Sequence, residues 1–523
     1  MSALQRLTGV AFVALLMAGA AQGAVLPKPD PMGVPASKLY DYGIMGPPAS
    51  PEMVEVADRA VTKPMPAGPF QPTWASIADH YTTPEWYQDA KFGIFIHWGV
   101  YAVAAHHNEW YEKHMYAGTE AHWHEEHYGP QDKVGYKDLI PQFTASHWNP
   151  DAWARLFKDA GAKFVIPTAQ HHDNFALWDS QVTPFNAVKM GPHRDLIGDL
   201  EKAVRAEGLK FGVSNHGVEN FTFVNPDADI DAKLKAEKAD LYDPAWADFY
   251  HVADRSPKAM TAFLTDWVNR NIELIDRYHP DILWWDNGVN LRVLDPLKRH
   301  VAAYYYNRGV EWGQPVSLST KYVAMAPSND DTQQIGTLLD FEKVGVRSPT
   351  DIRRDPWQVD DTIGDNSWGY TEGLKIRPAS VIIPLLIDTV AKGGNYVLNI
   401  SPRADGVIPD DQQATLHGIG QWLDRNGEAI YSTRPWTQFG EGDWRFTAKA
   451  DTLYAIALKW PQGAQATITA LASPKGRVAG VELIGGGKVT FTQDASGLHL
   501  TLPAHKPDEP AYVFRIRLAE AKA

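Results

Sequence analysis

The chain has 523 residues, 44% apolar and 21% charged, with 19 Trp, 21 Tyr, no Cys and a formal net charge of −14. That length exceeds one ordinary domain, so a large catalytic unit with a smaller module is expected. The acidic balance, with no basic stripe, argues against a nucleic-acid partner, and the lack of cysteine excludes a disulfide framework and a lipid-modified Cys.

Met1–Gly23 reads as a secretory signal: Arg6 in a sparse positive segment, an apolar stretch from Val10 to Ala21, and small residues at Ala21-Gln22-Gly23. It is too short and wrongly flanked for a spanning helix, and no later segment reaches that length. An exported protein, periplasmic or extracellular and without membrane insertion, is the expectation. Leu26–Gln71 is rich in Pro, Gly and Ala, which makes residues 24–72 an extended arm or linker.

Eight short apolar runs follow as strand candidates: Phe92–Trp98, Phe164–Thr168, Phe211–Ser214, Ile282–Trp285, Pro315–Ser319, Thr337–Phe341, Val359–Thr362 and Tyr396–Ile400. Helical stretches lie between most of them. Asn149–Ala160 opens on Asn149-Pro150, carries Trp153, Leu156 and Phe157 on one face, and closes near Gly161; Ala259–Tyr278 and Ser380–Ala391 are two more. This alternation predicts an α/β fold, a (β/α)8-like (TIM-type) barrel over residues 73–436. From about Thr437 to the end, short alternating segments such as Trp444–Ala448, Thr452–Leu458, Ala466–Thr469, Val478–Leu483 and Ala511–Ile516 sit between Gly, Pro and Asp turns. They predict a small antiparallel β-sandwich. The charged stretch Ala232–Lys238 reads as a solvated helix.

The candidate strands end in polar residues. The fourth runs Asp281-Ile282-Leu283-Trp284-Trp285-Asp286-Asn287-Gly288, an apolar run that stops at a carboxylate, as a buried parallel strand does when it delivers a polar group to the rim. The first ends in His97-Trp98-Gly99, soon followed by Glu109-Trp110-Tyr111. The second leads to His171-His172-Asp173, the third to Ser214-Asn215-His216 and the sixth to Asp340-Phe341-Glu342. In a barrel these crowd the C-terminal rim, where active sites form. Two carboxylates flanking a bond are what glycoside hydrolysis requires, and histidines with a glutamate can orient hydroxyls.

Metal chemistry is the rival reading. His122, His124, Glu125 and His127 cluster in one loop, with His106, His107 and His114 upstream. In His124-Glu125-Glu126-His127, however, the histidines are three apart rather than the four that share a helix face. A polar loop on the cleft rim is the plainer account. Asp227, Asp229 and Asp231 lack the central Gly and closing Glu of a calcium loop. No metal and no cofactor is expected.

Seven blocks in order resemble glycoside hydrolase family 29, the retaining α-L-fucosidases. They are Lys91–Gly99 (KFGIFIHWG), Glu109-Trp110-Tyr111, His171-His172-Asp173, Leu283-Trp284-Trp285-Asp286, Ser367-Trp368-Gly369-Tyr370, Gly393–Ile400 (GGNYVLNI) and Asn426–Tyr431 (NGEAIY). The resemblance runs from about Trp74 to Trp436. It implies that Asp286 is the nucleophile, that His97, Glu109, His171 and His172 hold the fucose hydroxyls, and that Trp368 packs on its C6 methyl; Trp110, inside the second block, is a further substrate-binding candidate. The general acid/base lies in a variable region; Glu342 is the choice, with Asp360 and Asp361 as rivals. Departures from the family pattern are Asn174 where Gly is usual after His-His-Asp, Gln358 where Trp-Glu is common, His216 where a Tyr-Tyr-Ser run stands, and Lys321 near a common Arg. His216 can take over a hydroxyl contact, and Lys321 keeps the charge without the bidentate fork. The implied partner is a fucosylated oligosaccharide or glycoconjugate; homo-oligomerisation stays open. A catalytically inactive carbohydrate-binding protein on the same scaffold is the alternative.

Overall fold

The computed structural model describes residues 46–519 except 322–323, 328–333, 346–347, 354, 474–476 and 508. The expected signal, 1–23, lies outside the described residues. Eight parallel strands close a barrel in chain order: β1 (Phe92–Ile96), β2 (Phe164–Gln170), β3 (Lys210–Asn215), β4 (Ile282–Trp285), β5 (Ser317–Lys321), β6 (Leu338–Glu342), β7 (Trp357–Thr362) and β8 (Gly394–Ile400). Each of the eight apolar runs overlaps one of them, the fifth being displaced by two residues, Pro315–Ser319 against Ser317–Lys321.

β4 shows why an apolar run marks such a strand. Successive side chains point to opposite faces, and here both faces are buried. Trp284 points into the barrel, where its ring meets Phe95 at 4.9 Å and its indole N–H donates to Asp340 Oδ2 at 2.8 Å. Trp285 points outward, packing on Trp267 at 5.2 Å and donating to Asn271 Oδ1 at 2.7 Å. Both partners lie on the helix Pro257–Tyr278, which Ser256 caps through its hydroxyl. The barrel interior is filled by Phe95, Phe164, Ile166, Ile282, Trp284, Leu338 and Val397, a packed core beneath the rim. Gly93 makes room for it, since a Cβ there would stand 2.3 Å from the Phe164 ring.

The stretch expected to be an extended arm contains the helix Pro51–Ala60, capped by Ser50 with Pro51 at its first position. It buries Val54 and Ala57 against the helices Pro257–Tyr278 and Asp295–Trp312, and Asp58 pairs with His300 at 2.7 Å. That part of the arm therefore belongs to the barrel's outer layer.

Beyond the barrel lie a six-stranded and a three-stranded antiparallel sheet around a shared core that includes Phe446, Leu453, Ile468, Leu498, Leu500 and Phe514. The first strand of this unit, β9 (Arg434–Glu441), starts before Thr437 and was not among the expected strands; nor were those at 487–488, 490–494 and 497–501. The unit docks on the barrel through Arg445–Asp388 (2.5 Å), Trp422 Nε1 to the Ala511 carbonyl (3.0 Å) and Thr447 Oγ1 to the Ala429 carbonyl (2.7 Å).

Candidate active site

Asp286 follows the last residue of β4 and is buried at the rim. The neighbouring strand ends bring three cationic or donor groups to it. His216, just past β3, places Nδ1 2.9 Å from Oδ2; His172, past β2, places Nε2 3.5 Å from the same oxygen; Lys321, the last residue of β5, places Nζ 3.1 Å from Oδ1. Burial alone raises the Asp286 pKa, but the Lys321 charge, His216 and the hydrogen bonds from both imidazoles outweigh it and hold the carboxyl well below its usual range. Asp286 is therefore held in its ionised form.

Burial and that charge act in opposite senses on the neighbouring imidazoles. Burial brings His216 down to about 4 despite the pull of Asp286, so the ring is neutral. Its Nδ1–H donates to Asp286, which leaves Nε2 to accept from the Ser214 hydroxyl at 3.0 Å. Burial also lowers His172, but Glu219, Asp286 and the His216 carbonyl more than compensate and raise it. His97 and His171 are held well below the usual histidine range, first by burial and then by the other imidazoles. They stand with His216 as neutral rings 5.0–5.6 Å apart.

Glu342, the last residue of β6, reaches Lys321 Nζ at 3.5 Å, and so does Asp360 on β7. The Glu342 side chain is 20% exposed at the mouth, whereas Asp360 is 1% exposed in the wall. Burial and the neighbouring Asp340 push the Asp360 carboxyl well above its usual range against Lys321. Asp361 alternates to the other face of β7, where Arg377 (3.0 Å) and the Tyr396 hydroxyl (3.1 Å) engage it; it does not join the site.

The remaining residues form the wall. Trp368 lies 5.1 Å from His97, ring to ring, with Lys321 5.4 Å over its indole. Glu109 secures that segment: its Oε2 accepts from Trp368 N (2.9 Å), Ser367 Oγ (3.2 Å) and Gly369 N (3.4 Å). Trp110 meets His172 edge-on at 5.9 Å. Thus Asp286, Glu342, His97, Glu109, Trp110, His171, His172, His216, Lys321 and Trp368 all gather at one rim.

Two further residues organise these groups. Asn399 at the end of β8 accepts from the His97 amide (3.0 Å), lies 2.7 Å from His97 Nδ1, and donates to the Trp368 carbonyl (2.7 Å). Glu219 sits buried 3.6 Å from His172 Nδ1, its carboxyl raised to about 7 by burial against the opposing pull of His172. Asn399 stands inside one of the seven blocks but no spacing distinguishes it; Glu219 follows Ser214-Asn215-His216 with no local signal.

The departures also find their places. Asn174 has φ +64°, a left-handed position that suits Gly and, next best, Asn, and its amide donates to the Asp248 and Phe249 carbonyls at 3.0 Å. Gln358 faces the barrel floor, accepting from the Tyr87 hydroxyl (2.7 Å) and donating to Asp340.

The expected histidine loop is the helix Gly118–Tyr128, which spreads its polar groups over different faces. His124 is buried with its ring nitrogens engaged by the Tyr111 hydroxyl and the Val134 carbonyl, both at 2.8 Å. His106 pairs with Glu120 and stacks on Trp123, as His127 does from the other side. Among the described residues, two trios bring ligating atoms close enough for a cation: His97, His171, His216, and His172, His216, Asp286. The Lys321 ammonium already lies against Asp286, so a metal there would face a like charge at close range.

A sugar demands many neutral donors and acceptors around one apolar face, and its acetal bond demands an ionised carboxylate with a second carboxyl group nearby. The rim meets both demands, and the molecule is a barrel glycosidase. A profile described as alpha-L-fucosidase matches residues 59–428, and one described as the alpha-L-fucosidase C-terminal domain matches residues 440–517. The chain is 30% identical to the tissue alpha-L-fucosidase of Bos taurus over 473 residues, 86% of this chain and 91% of that one. With its Rattus norvegicus counterpart it is 32% identical over 454 residues, 84% and 89% of the two. The crystal structure of Thermotoga maritima alpha-fucosidase in complex with fucose matches with a TM-score of 0.68 at 31% identity, over 86% of this chain and 100% of that one. The chain belongs to the alpha-L-fucosidase family, glycoside hydrolase family 29.

Lys321 offers a direct check on the electrostatics. Replacing it with Met removes the largest influence holding Asp286 ionised. The acid limb of kcat/KM is then expected to move to higher pH, with kcat at neutral pH lower by about 10- to 100-fold. A pH–rate profile of Lys321→Met that keeps the wild-type acid limb would show that another group governs it.

Proposed function

We propose that the protein is an exo-acting α-L-fucosidase that releases terminal α-L-fucosyl residues from glycans by double displacement with net retention. The observation that carries this reading is the pair of carboxylates on one ammonium. Asp286 and Glu342 each contact Lys321, at 3.1 and 3.5 Å, so the separation of those oxygens cannot exceed the sum of two short contacts. That ceiling covers the roughly 5–5.5 Å of retaining enzymes and only the lowest edge of the ~6.5–9.5 Å that leaves room for a water in inverting ones.

In the first step Asp286 Oδ attacks the anomeric carbon while Glu342 gives its proton to the departing glycosidic oxygen, leaving a fucosyl-enzyme ester. In the second, Glu342, now a carboxylate, takes a proton from water, and that water's oxygen displaces Asp286 from the same face the aglycone left. Glu342 is favoured over Asp360 because the donor has to reach an oxygen outside the sugar subsite, and Glu342 is the one at the mouth. His97, whose Nδ1–H is held by Asn399, offers Nε2 as an acceptor to a sugar hydroxyl, the neutral His171 ring can donate and accept, His216 holds Asp286 in place, and Trp368 supplies an apolar wall for the C6 methyl. Export through Met1–Gly23, to the periplasm or outside the cell, belongs to the same proposal; among the described residues no helix is long and apolar enough to cross a membrane.

The test is a proton NMR time course on 4-nitrophenyl α-L-fucoside. The α-anomer of fucose should appear first and then mutarotate; β-fucose first would mean inversion. Fucose binding without any turnover would favour the inactive binding protein instead. Activity should also survive a chelator.

Trp368→Ala probes specificity. An apolar wall rewards a methyl over a hydroxymethyl by only about 1–3 kcal/mol. The fucoside-to-galactoside ratio of kcat/KM is accordingly expected to fall by roughly 10- to 100-fold. An unchanged ratio would place the methyl elsewhere.

A further inference from the structure

The end of the barrel opposite the rim holds a second cavity, of about 390 Å³, roofed by the C-terminal unit. Its lining comes from the segment before β1 (Lys91), the chain leading into β7 (Asp351, Arg353), the starts of β7 and β8 (Trp357, Asn395) and the start of β9 (Arg434, Trp436). Three cationic side chains therefore face it with one carboxylate, in a chain whose net charge is −14.

Two of those cations make no direct ion pair among the described residues. Lys91 is 2% exposed, and its Nζ makes no hydrogen bond or ion pair among the described residues. Arg353 has a buried Nε with no partner, and its guanidinium rests 5.7 Å over the Phe341 ring. Arg434 alone is paired, with Asp89 at 2.8 Å. Enclosing a cation without an anion is costly, and the molecule has adapted. Burial, then the Arg434 charge, brings Lys91 down to about 7 against the pull of Asp89, and burial lowers Arg353 as well. Substrate chemistry at the opposite rim accounts for none of this.

We propose that this cavity is a binding site for a small oxyanion, a phosphate, sulfate or carboxylate either free or carried on a monosaccharide, held by Lys91 and Arg353 with Arg434 at its edge. Charge-assisted bonds from an ammonium and a planar guanidinium suit such a group. The volume exceeds what a bare oxyanion fills and lies in the range of small-molecule pockets, and Trp436 and Trp357 offer ring surface beside the cations. Because the three cations come from the barrel and from β9, a bound anion ties the C-terminal unit to the barrel floor.

The experiment is titration calorimetry of the full-length protein with sodium sulfate, ionic strength held constant with chloride. Active-site binding is silenced by saturating fucose. One site is expected in the wild type, weakened at least 10-fold in Arg353→Gln; Lys91→Met should do the same. Sulfate also stabilises proteins non-specifically, so the melting-temperature rise it causes should shrink in Arg353→Gln relative to wild type. A sulfated monosaccharide and its neutral parent separate the sources. Tighter binding of the sulfated sugar than of sulfate identifies a sugar-borne group, and equal binding identifies a free anion. No binding to the wild type, equal affinity in Arg353→Gln, or equal binding of the neutral parent would overturn the proposal.

Discussion

Asp286→Gly is expected to lower kcat on 4-nitrophenyl α-L-fucoside by on the order of 10⁴-fold or more, because it removes the atom that forms the covalent bond. The fold should survive. Lys321 keeps Glu342 and Asp360 within 3.5 Å, so the ammonium is not abandoned, and His216 keeps Ser214 on its other nitrogen. A melting temperature close to wild type would separate loss of chemistry from loss of structure. Sodium azide supplies the decisive readout. With the carboxylate gone, azide can enter from its side and displace the aglycone directly, giving the β-fucosyl azide. Rescue with that anomer identifies Asp286 as the nucleophile; rescue with the α-anomer, or undiminished activity, would remove it from that role.

The site was legible in the sequence to the extent that it sits at strand ends. β4 is buried on both faces and apolar along its length, so the carboxylate where the run stops is conspicuous, as Asp286 is after Trp284 and Trp285. Strand limits were less legible, because a backbone ladder continues regardless of side-chain polarity. β2 runs on to Gln170 and β3 to Asn215. Residues that act on other side chains were hidden for a different reason. Asn399 earns its place only by meeting His97 and the Trp368 carbonyl across the closed barrel, and Glu219 by lying behind His172; neither relation has a sequence spacing. The helix Pro51–Ala60 had its Ser50-Pro51 start signal, but the Pro, Gly and Ala content around it outweighed two residues. Its stability comes from burial on the barrel, which is tertiary information.

Glu342→Ala should divide substrates by leaving group. For a natural glycan, whose departing alkoxide needs a proton, kcat is expected to fall by about 10²- to 10⁴-fold. For a nitrophenolate the first step needs little help, so the loss there should be far smaller and the fucosyl-enzyme should accumulate as a burst. Azide requires no general base, and its attack on that intermediate gives the α-fucosyl azide, the opposite anomer to the one expected from Asp286→Gly. The alternative donor makes a contrasting forecast. Asp360 is enclosed and bonded to the Asp340 network, its carboxyl pushed up by burial and by that neighbour. Asp360→Asn should therefore leave the leaving-group dependence intact while perturbing Lys321, and through it Asp286. If Asp360→Asn instead shows the leaving-group split and the α-azide product, the proton comes from the wall and Glu342 serves the charge of Lys321.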